Sequence, residues 1–236
     1  MEIFSRTEAL LGAEAMKKLK NARVALFGLG GVGSAAFEAL LRSGVGHIEV
    51  FDHDCVSETN LNRQLLADLD TVGMAKTEAA KRKAALICGE TRVTAHQLFY
   101  LPETASQVDM AAFDFVIDAV DTVTAKLLII GEAKKAGTEV LSCMGTGNKL
   151  DPARLRVDPI EKTEGCPLAR VMRKELRARG IEGVRVVWSD EKPFSAADTG
   201  DKKGNRPAPA SAIFVPAAAG IILASEAVKF LGCKND

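Results

Sequence analysis

The sequence predicts an α/β fold: a Rossmann-like, mostly parallel sheet with helices on both faces. A C-terminal extension, a long loop and a terminal helix complete the expected architecture. Three observations carry this. Apolar runs of strand length alternate with helical stretches through residues 1–150. The first of these runs feeds a glycine-rich turn that opens directly into a helix, "VALFGLGGVGS". The second half changes character, with a basic helix, a Pro/Gly/Lys-rich stretch and an apolar C-terminal segment. Buried parallel strands read as short apolar runs, and their crossovers read as helices.

In order, Leu10, Leu11, Ala15 and Leu19 fall at helical spacing and predict one helix over residues 7–20, followed by a strand at "RVALFG". A helix then runs to about Ser43, and "HIEVFD" is the second strand, ending on Asp52. After a polar loop come the helix "KTEAAKRKAALIC" and the third strand "RVTAHQL". "FDFVIDAVD" is the fourth strand, "AKLLIIGEAKKAG" a helix and "TEVLSCMG" the fifth strand. "RLRVDPIEKT" is a strand or extended arm, "CPLARVMRKELRARG" a basic helix and "VRVVWS" a short strand. Residues of about 189–211 lack apolar periodicity and read as a long mobile loop, either a lid or partner contact or a merely disordered stretch. "AIFVPAAAGIILASEAVKFLG" contains Pro216, Glu226 and Lys229, so it is expected as a buried C-terminal helix rather than a membrane span. The expected organisation is a single domain over 1–236, with a nucleotide-binding core in 1–150 and a substrate or dimer extension in 151–236.

Lys plus Arg equal Asp plus Glu at 31 each, so any site for a polyanion has to be a local patch. Candidate patches are Lys81–Lys83, Arg170–Arg179 and Lys202–Arg206. Five cysteines without a CxxC pair exclude a zinc framework of that type and fit a reduced, cytoplasmic protein. No basic region followed by an apolar run opens the N-terminus, so neither a signal peptide nor stable membrane insertion is expected.

The spacing Gly28-x-Gly30-x-x-Gly33 fits a dinucleotide cradle. Gly28 makes the tight turn, Gly30 lets the backbone approach phosphate, and Gly33 lets the helix pack on the strand. Asp52 ends the second strand, where an acid holds free ribose hydroxyls, which suits NAD and ATP alike. Arg63 can fork two phosphate oxygens, and Lys76 adds a compact charge. Asn60 and Gln64 offer amides. These cations suit a reaction that releases pyrophosphate, and there is no Walker motif to hold phosphates instead.

"GLGGVGS", "FDHD", "TNLNRQ", "VGMAK" and "IDAVD" occur in the order of the ubiquitin-activating-enzyme-like adenylating family (the ThiF/MoeB/HesA group), which the chain resembles over roughly residues 3–150. "FSRTEALLGAEAMKKLKNARVALFGLGGVGS", "NRQL", "HQLFYLPE" and "CPLARVMRKEL" are similar to its branch that cyclises a threonylcarbamoyl group on adenosine in tRNA. The resemblance implies that Gly28, Gly30, Gly31 and Gly33 line the phosphates of ATP and that Asp52 holds the ribose. It also implies that Asn60, Arg63, Gln64 and Lys76 face the triphosphate and that Asp121 is the Mg²⁺-linked aspartate. Arg6 corresponds to an arginine lent by the partner subunit, which implies a homodimer. The implied activity is ATP-dependent dehydration through an acyl adenylate, with tRNA as partner. The alternative is adenylation of a ubiquitin-like sulfur-carrier protein; an NAD-binding oxidoreductase rests on the glycines and Asp52 alone. Cys166 stands where this branch has an acid and is read as incidental or structural. Cys143 and His96 are read as core residues, and His53 and Asp54 as turn residues beside the ribose acid.

Overall fold

The computed structural model describes residues 2–195, 202–203, 206–207 and 209–233. Seven strands form one sheet: β1 (Arg23–Phe27), β2 (His47–Phe51), β3 (Arg92–His96), β4 (Phe115–Asp118), β5 (Glu139–Cys143), β6 (Leu155–Pro159) and β7 (Arg185–Ser189). Their order is β3-β2-β1-β4-β5-β7-β6. Every neighbouring pair is parallel except β6, which closes the edge antiparallel to β7 with Val157 opposite Val187. The expected α/β class is therefore observed, and "RLRVDP" is a strand, not an arm. Lys202–Lys203 (β8) and Arg206–Pro207 (β9) form a separate antiparallel pair.

Among the described residues, seven α-helices accompany the sheet: α1 (Ser5–Leu11), α2 (Ala13–Asn21), α3 (Gly31–Arg42), α4 (Lys76–Ile87), α5 (Val123–Ala136), α6 (Pro167–Ala178) and α7 (Phe214–Gly232). The single helix expected over residues 7–20 is two. Gly12 takes φ +86°, ψ 156°, outside the helical region, and divides α1 from α2. On one face of the sheet Leu19, Phe37, Leu40, Ala80 and Leu223 pack against Leu26, Val50 and Ile117. On the other, Ile129, Ile130, Met172 and Leu176 pack against Phe27, Val116 and Val186. Each of the larger side chains among them contributes roughly 1.5–3 kcal/mol by its burial. Strand residues point alternately to the two faces, so both cores come from the same apolar runs.

The helix α7 is one-sided rather than fully buried. Val215, Ala219, Gly220, Leu223 and Ala227 are buried, while Phe214 and Ile221 are exposed. A Cβ on Gly220 would lie 2.2 Å from the Val32 carbonyl oxygen, so glycine is what lets α7 lie directly on α3. The loop expected from about residue 189 has a fixed start. Ser189 closes β7, and the buried Glu191 carboxylate accepts hydrogen bonds from the Leu150 and Asp151 amides (2.9 and 3.1 Å). Of the rest of that loop, residues 196–201, 204, 205 and 208 lie outside the described residues.

Candidate functional site

Strand order runs outward from β1 to β3 on one side and resumes with β4 on the other, which creates a crevice at the C-terminal ends of β1 and β4. The crevice is deepened by close backbone approach. Gly28, at φ +89°, follows β1, and a Cβ there would meet the Ala119 carbonyl oxygen at 2.8 Å. Its amide donates to the Phe51 carbonyl (2.8 Å), tying the ends of β1 and β2 together. The resulting cleft encloses about 820 Å³.

The four glycines have different positions. Gly28, Gly30 and Gly31 line the cleft. A Cβ on Gly30 would meet nothing within 4 Å, so the space beside it is open, and α3 begins at Gly31 without a side-chain cap. Its first amides are therefore left for an anion. Gly31 lies against α7, where a Cβ would stand 3.0 Å from Pro216 Cβ. Gly33 is buried beneath the turn and does not line the cleft; a Cβ there would come within 1.8 Å of the Gly28 carbonyl oxygen. It lets helix and strand pack, as the spacing predicts, and does not itself present to phosphate.

Asp52 is buried and fixed by two backbone amides: Leu29 donates to Oδ2 (2.6 Å) and Asp54 to Oδ1 (2.8 Å). These bonds join the carboxylate to the glycine turn. Asn60 and Gln64 are buried cleft residues, and Asn60 is held by the Ser57 amide donating to its Oδ1 (3.1 Å). Arg63 is held at the rim by Nη1, which donates to the Thr59 carbonyl (2.6 Å) and to Asn62 Oδ1 (3.0 Å). Lys76 is buried, and its ammonium pairs with Asp54 Oδ2 at 2.9 Å. His53 stacks on Phe99 and approaches Asp54, and both residues that follow Asp52 line the cleft. Asp121 lines the opposite wall. Arg6 is exposed on α1 and does not line the cleft of its own chain.

Sequence reasoning missed the support beneath Asp121. Asp118, Lys126 and Ser142 are all fully buried. Lys126 Nζ donates to Asp118 Oδ2 (2.9 Å) and to Ser142 Oγ (3.1 Å), and Ser142 Oγ donates to Asp118 Oδ2 (2.6 Å). Asp118 Oδ1 accepts from the Val120 amide (3.2 Å), which sets the Ala119–Asp121 turn. The available signal was a lysine inside the apolar helix "AKLLII", directly after an acidic strand end.

The far end of the cleft is formed by Met144–Lys149 after β5, by Cys166–Leu168 at the start of α6, and by Pro193 and Pro209. Cys166 is buried as the residue preceding α6. Cys143 lies in the core and also borders the cleft; burial pushes its thiol up to about 12, so it stays protonated near neutrality. Burial also pulls the Lys149 ammonium below the ordinary lysine range, against the opposing pull of Cys166 and Glu191. His96 is not a core residue. It stands half-exposed on the edge strand β3, stacked on Phe51 and bonded to Glu49 through Nε2 (2.9 Å).

The ThiF family model matches residues 4–236. The tRNA threonylcarbamoyladenosine dehydratase of Bacillus subtilis is 43% identical over 235 residues, 95% of this chain and 92% of that protein. The crystal structure of the E. coli tRNA N6-threonylcarbamoyladenosine dehydratase, TcdA, in complex with ATP superposes with a TM-score of 0.88 at 32% identity, covering 98% of this chain and 93% of that one. The same E. coli enzyme in complex with AMP gives 0.89 at the same identity, covering 98% and 94%. The chain belongs to the ThiF family.

Proposed function

We propose that this protein uses ATP to dehydrate threonylcarbamoyladenosine in tRNA through an acyl adenylate. One observation carries the reading. A glycine turn, a ribose-type acid, two cations and an aspartate converge on one cleft, and that cleft continues into a second compartment. A hydride carrier needs the first two; a pyrophosphate-releasing reaction uses them all. The relatedness to proteins bearing the dehydratase name, and to the E. coli structures with ATP and AMP, supports the choice of substrate.

In this reading the N-terminus of α3 and the turn at Gly28, Gly30 and Gly31 take the phosphates, while Asp52 holds the ribose. A substrate carboxylate oxygen attacks the α-phosphorus; a new P–O bond forms, and the bond to the β-phosphate oxygen breaks. Arg63 and Lys76 offset charge on the departing pyrophosphate. Asn60 and Gln64 supply neutral hydrogen bonds beside it. A nucleophilic atom of the same side chain then attacks the acyl carbon, and AMP leaves carrying the former carboxylate oxygen. Water is thus lost at the expense of ATP. A Mg²⁺ ion is bound in such sites by one or two carboxylates together with substrate phosphates, and Asp121 in the cleft wall fits that donor set. When bound, the ion would neutralise phosphate charge.

The tRNA contact we assign first to α6. Arg170, Lys174 and Arg177 are exposed along one of its faces, and the helix begins at the cleft. By contrast, Lys81, Arg82 and Lys83 are paired with Glu78, Asp70 and Glu38. Of the Lys202–Arg206 patch, Gly204 and Asn205 lie outside the described residues and no side chain of the patch is described. We further propose that the protein acts as a cytoplasmic homodimer in which Arg6 reaches the partner's cleft, with 151–236 serving substrate and dimer contacts. The exposed apolar side chains Phe214 and Ile221 on α7 suit such an interface.

The test is ATP–pyrophosphate exchange in the presence of the modified tRNA. Arg63→Ala and Asp121→Ala should each lower exchange by about 10²-fold or more while leaving the circular dichroism spectrum unchanged. Mixing inactive Arg6→Ala and Asp121→Ala proteins should restore about a quarter of wild-type activity if two subunits share a site. Unaltered exchange in both single variants would remove the assignment.

A further inference from the structure

Two buried side-chain polar atoms find no hydrogen-bond partner among the described residues, the Tyr100 hydroxyl and Asn148 Oδ1, and both residues line the cleft. Asn148 is the more constrained. It is the single non-glycine residue at positive φ (58°) among the described residues. Its amide donates to the Ala210 carbonyl (2.7 Å), and its own carbonyl accepts from the Phe194 amide (2.7 Å). The backbone of Asn148 is therefore fully used in tying down the chain on either side of residues 195–209. Its side-chain oxygen is left over and buried, on a residue that lines the cleft. Burying an acceptor unpaired costs folding free energy, so a donor that arrives with a ligand recovers it.

Which ligand could bring that donor follows from chemistry and position. Phosphate oxygens carry no proton to give. The adenine amino group lies beyond the ribose, and Asp52, which holds the ribose in this reading, directly follows β2. Asn148 follows β5, three strands away in the sheet order, about 14 Å at ordinary strand spacing. The donor thus belongs to the acyl substrate. Lys149 stands next to Asn148, buried, with one N–H on the Ser189 carbonyl (2.9 Å) and with Cys143, Cys166, Asp190 and Glu191 around it. An acceptor beside a buried ammonium suits a carboxylate whose neighbouring carbon bears an N–H.

Resting on the adenylating reading above, we infer that Asn148 and Lys149 form the acyl-recognition end of the cleft. Asn148 Oδ1 accepts a hydrogen bond from the ureido N–H of an N-acylated amino acid, and Lys149 attracts its carboxylate. A ureido acid on a nucleoside is favoured over a peptide terminus because it offers two N–H groups.

Asn148→Gly tests this cleanly, because glycine keeps the left-handed backbone and both backbone hydrogen bonds while deleting the side chain. Wild-type and variant proteins would be given ATP and tRNA bearing threonylcarbamoyladenosine. The expected result is a KM for this tRNA raised about 3- to 10-fold with an unchanged Kd for ATP. An unchanged KM would overturn the inference, as would a parallel loss of ATP affinity, which would mark a merely structural role. Wild-type protein that leaves this tRNA untouched, or adenylates a small carrier protein in its place, would overturn the functional reading and this inference together.

Discussion

At the nucleotide end of the cleft, Asp52 is held by amides of Leu29 and Asp54, and Asn60 by its own capping turn. At the acyl end, Lys149 reaches Ser189, 40 positions away, and the Leu150 amide reaches Glu191, 41 positions away. Asn148 draws in Phe194 and Ala210. The first end consists of short turns fastened to neighbouring strand ends. The second is a clasp between distant segments. The difference teaches that the turns of the first end are set locally, even though α7 backs them, whereas the second end takes shape only when β5, β7 and the segment leading into α7 are assembled.

Lys126 lies beneath the junction of the two ends, so its loss should have the largest effect. Lys126→Met leaves Asp118 buried without its cation, and urea unfolding should report a loss of about 3–5 kcal/mol. A loss under about 1 kcal/mol would mean that the ion pair does not hold the Asp121 turn. Next come the glycines. Gly33→Ala has to push the Gly28 carbonyl away and should unfold or disable the turn. Gly30→Ala meets no protein atom within 4 Å and should retain the melting temperature while weakening ATP binding about 10-fold or more. Equal stability losses in both would contradict the division between a packing glycine and a phosphate glycine.

The smallest expected effect lies outside both ends. Burial raises the Glu49 carboxyl, but His96 and Arg23 more than offset this, so it titrates below the ordinary glutamate range. A depressed folded-state value contributes stability above the unfolded-state value, and that stability fades as pH falls through the folded one. Glu49→Gln should therefore flatten the acid limb of stability slightly below about pH 4.5, where the ordinary glutamate range begins, and leave pH 7 turnover unchanged. Altered turnover would connect the β2–β3 edge to the cleft.

Much of the nucleotide end is legible in the sequence, because its parts are contiguous words: a glycine turn after a strand, an acid at the next strand end, and "NLNRQ". The strands and helices are legible for the same reason, since their periodicity is local. The break at Gly12 is not, because a glycine inside a helical pattern is compatible with continuation. The Asp118–Lys126–Ser142 triad and the Asn148 clasp are equally invisible, since each joins residues whose proximity only the sheet order creates. The half-exposed position of His96 is likewise invisible in the sequence, because strand periodicity does not distinguish an edge from a centre.

The contact of α7 with α3 has a consequence for biosynthesis. Pro216 abuts Gly31, and Gly220 lies on the Val32 carbonyl, so α3, which starts at Gly31, is buttressed by a helix that starts only at Phe214. A nascent chain that has produced the glycine turn, Asp52, Arg63 and Lys76 but not α7 still holds that turn without its backing. A chain ending before Phe214 would carry Asp52, Arg63, Lys76 and Asp121 without the helix that backs the glycine turn.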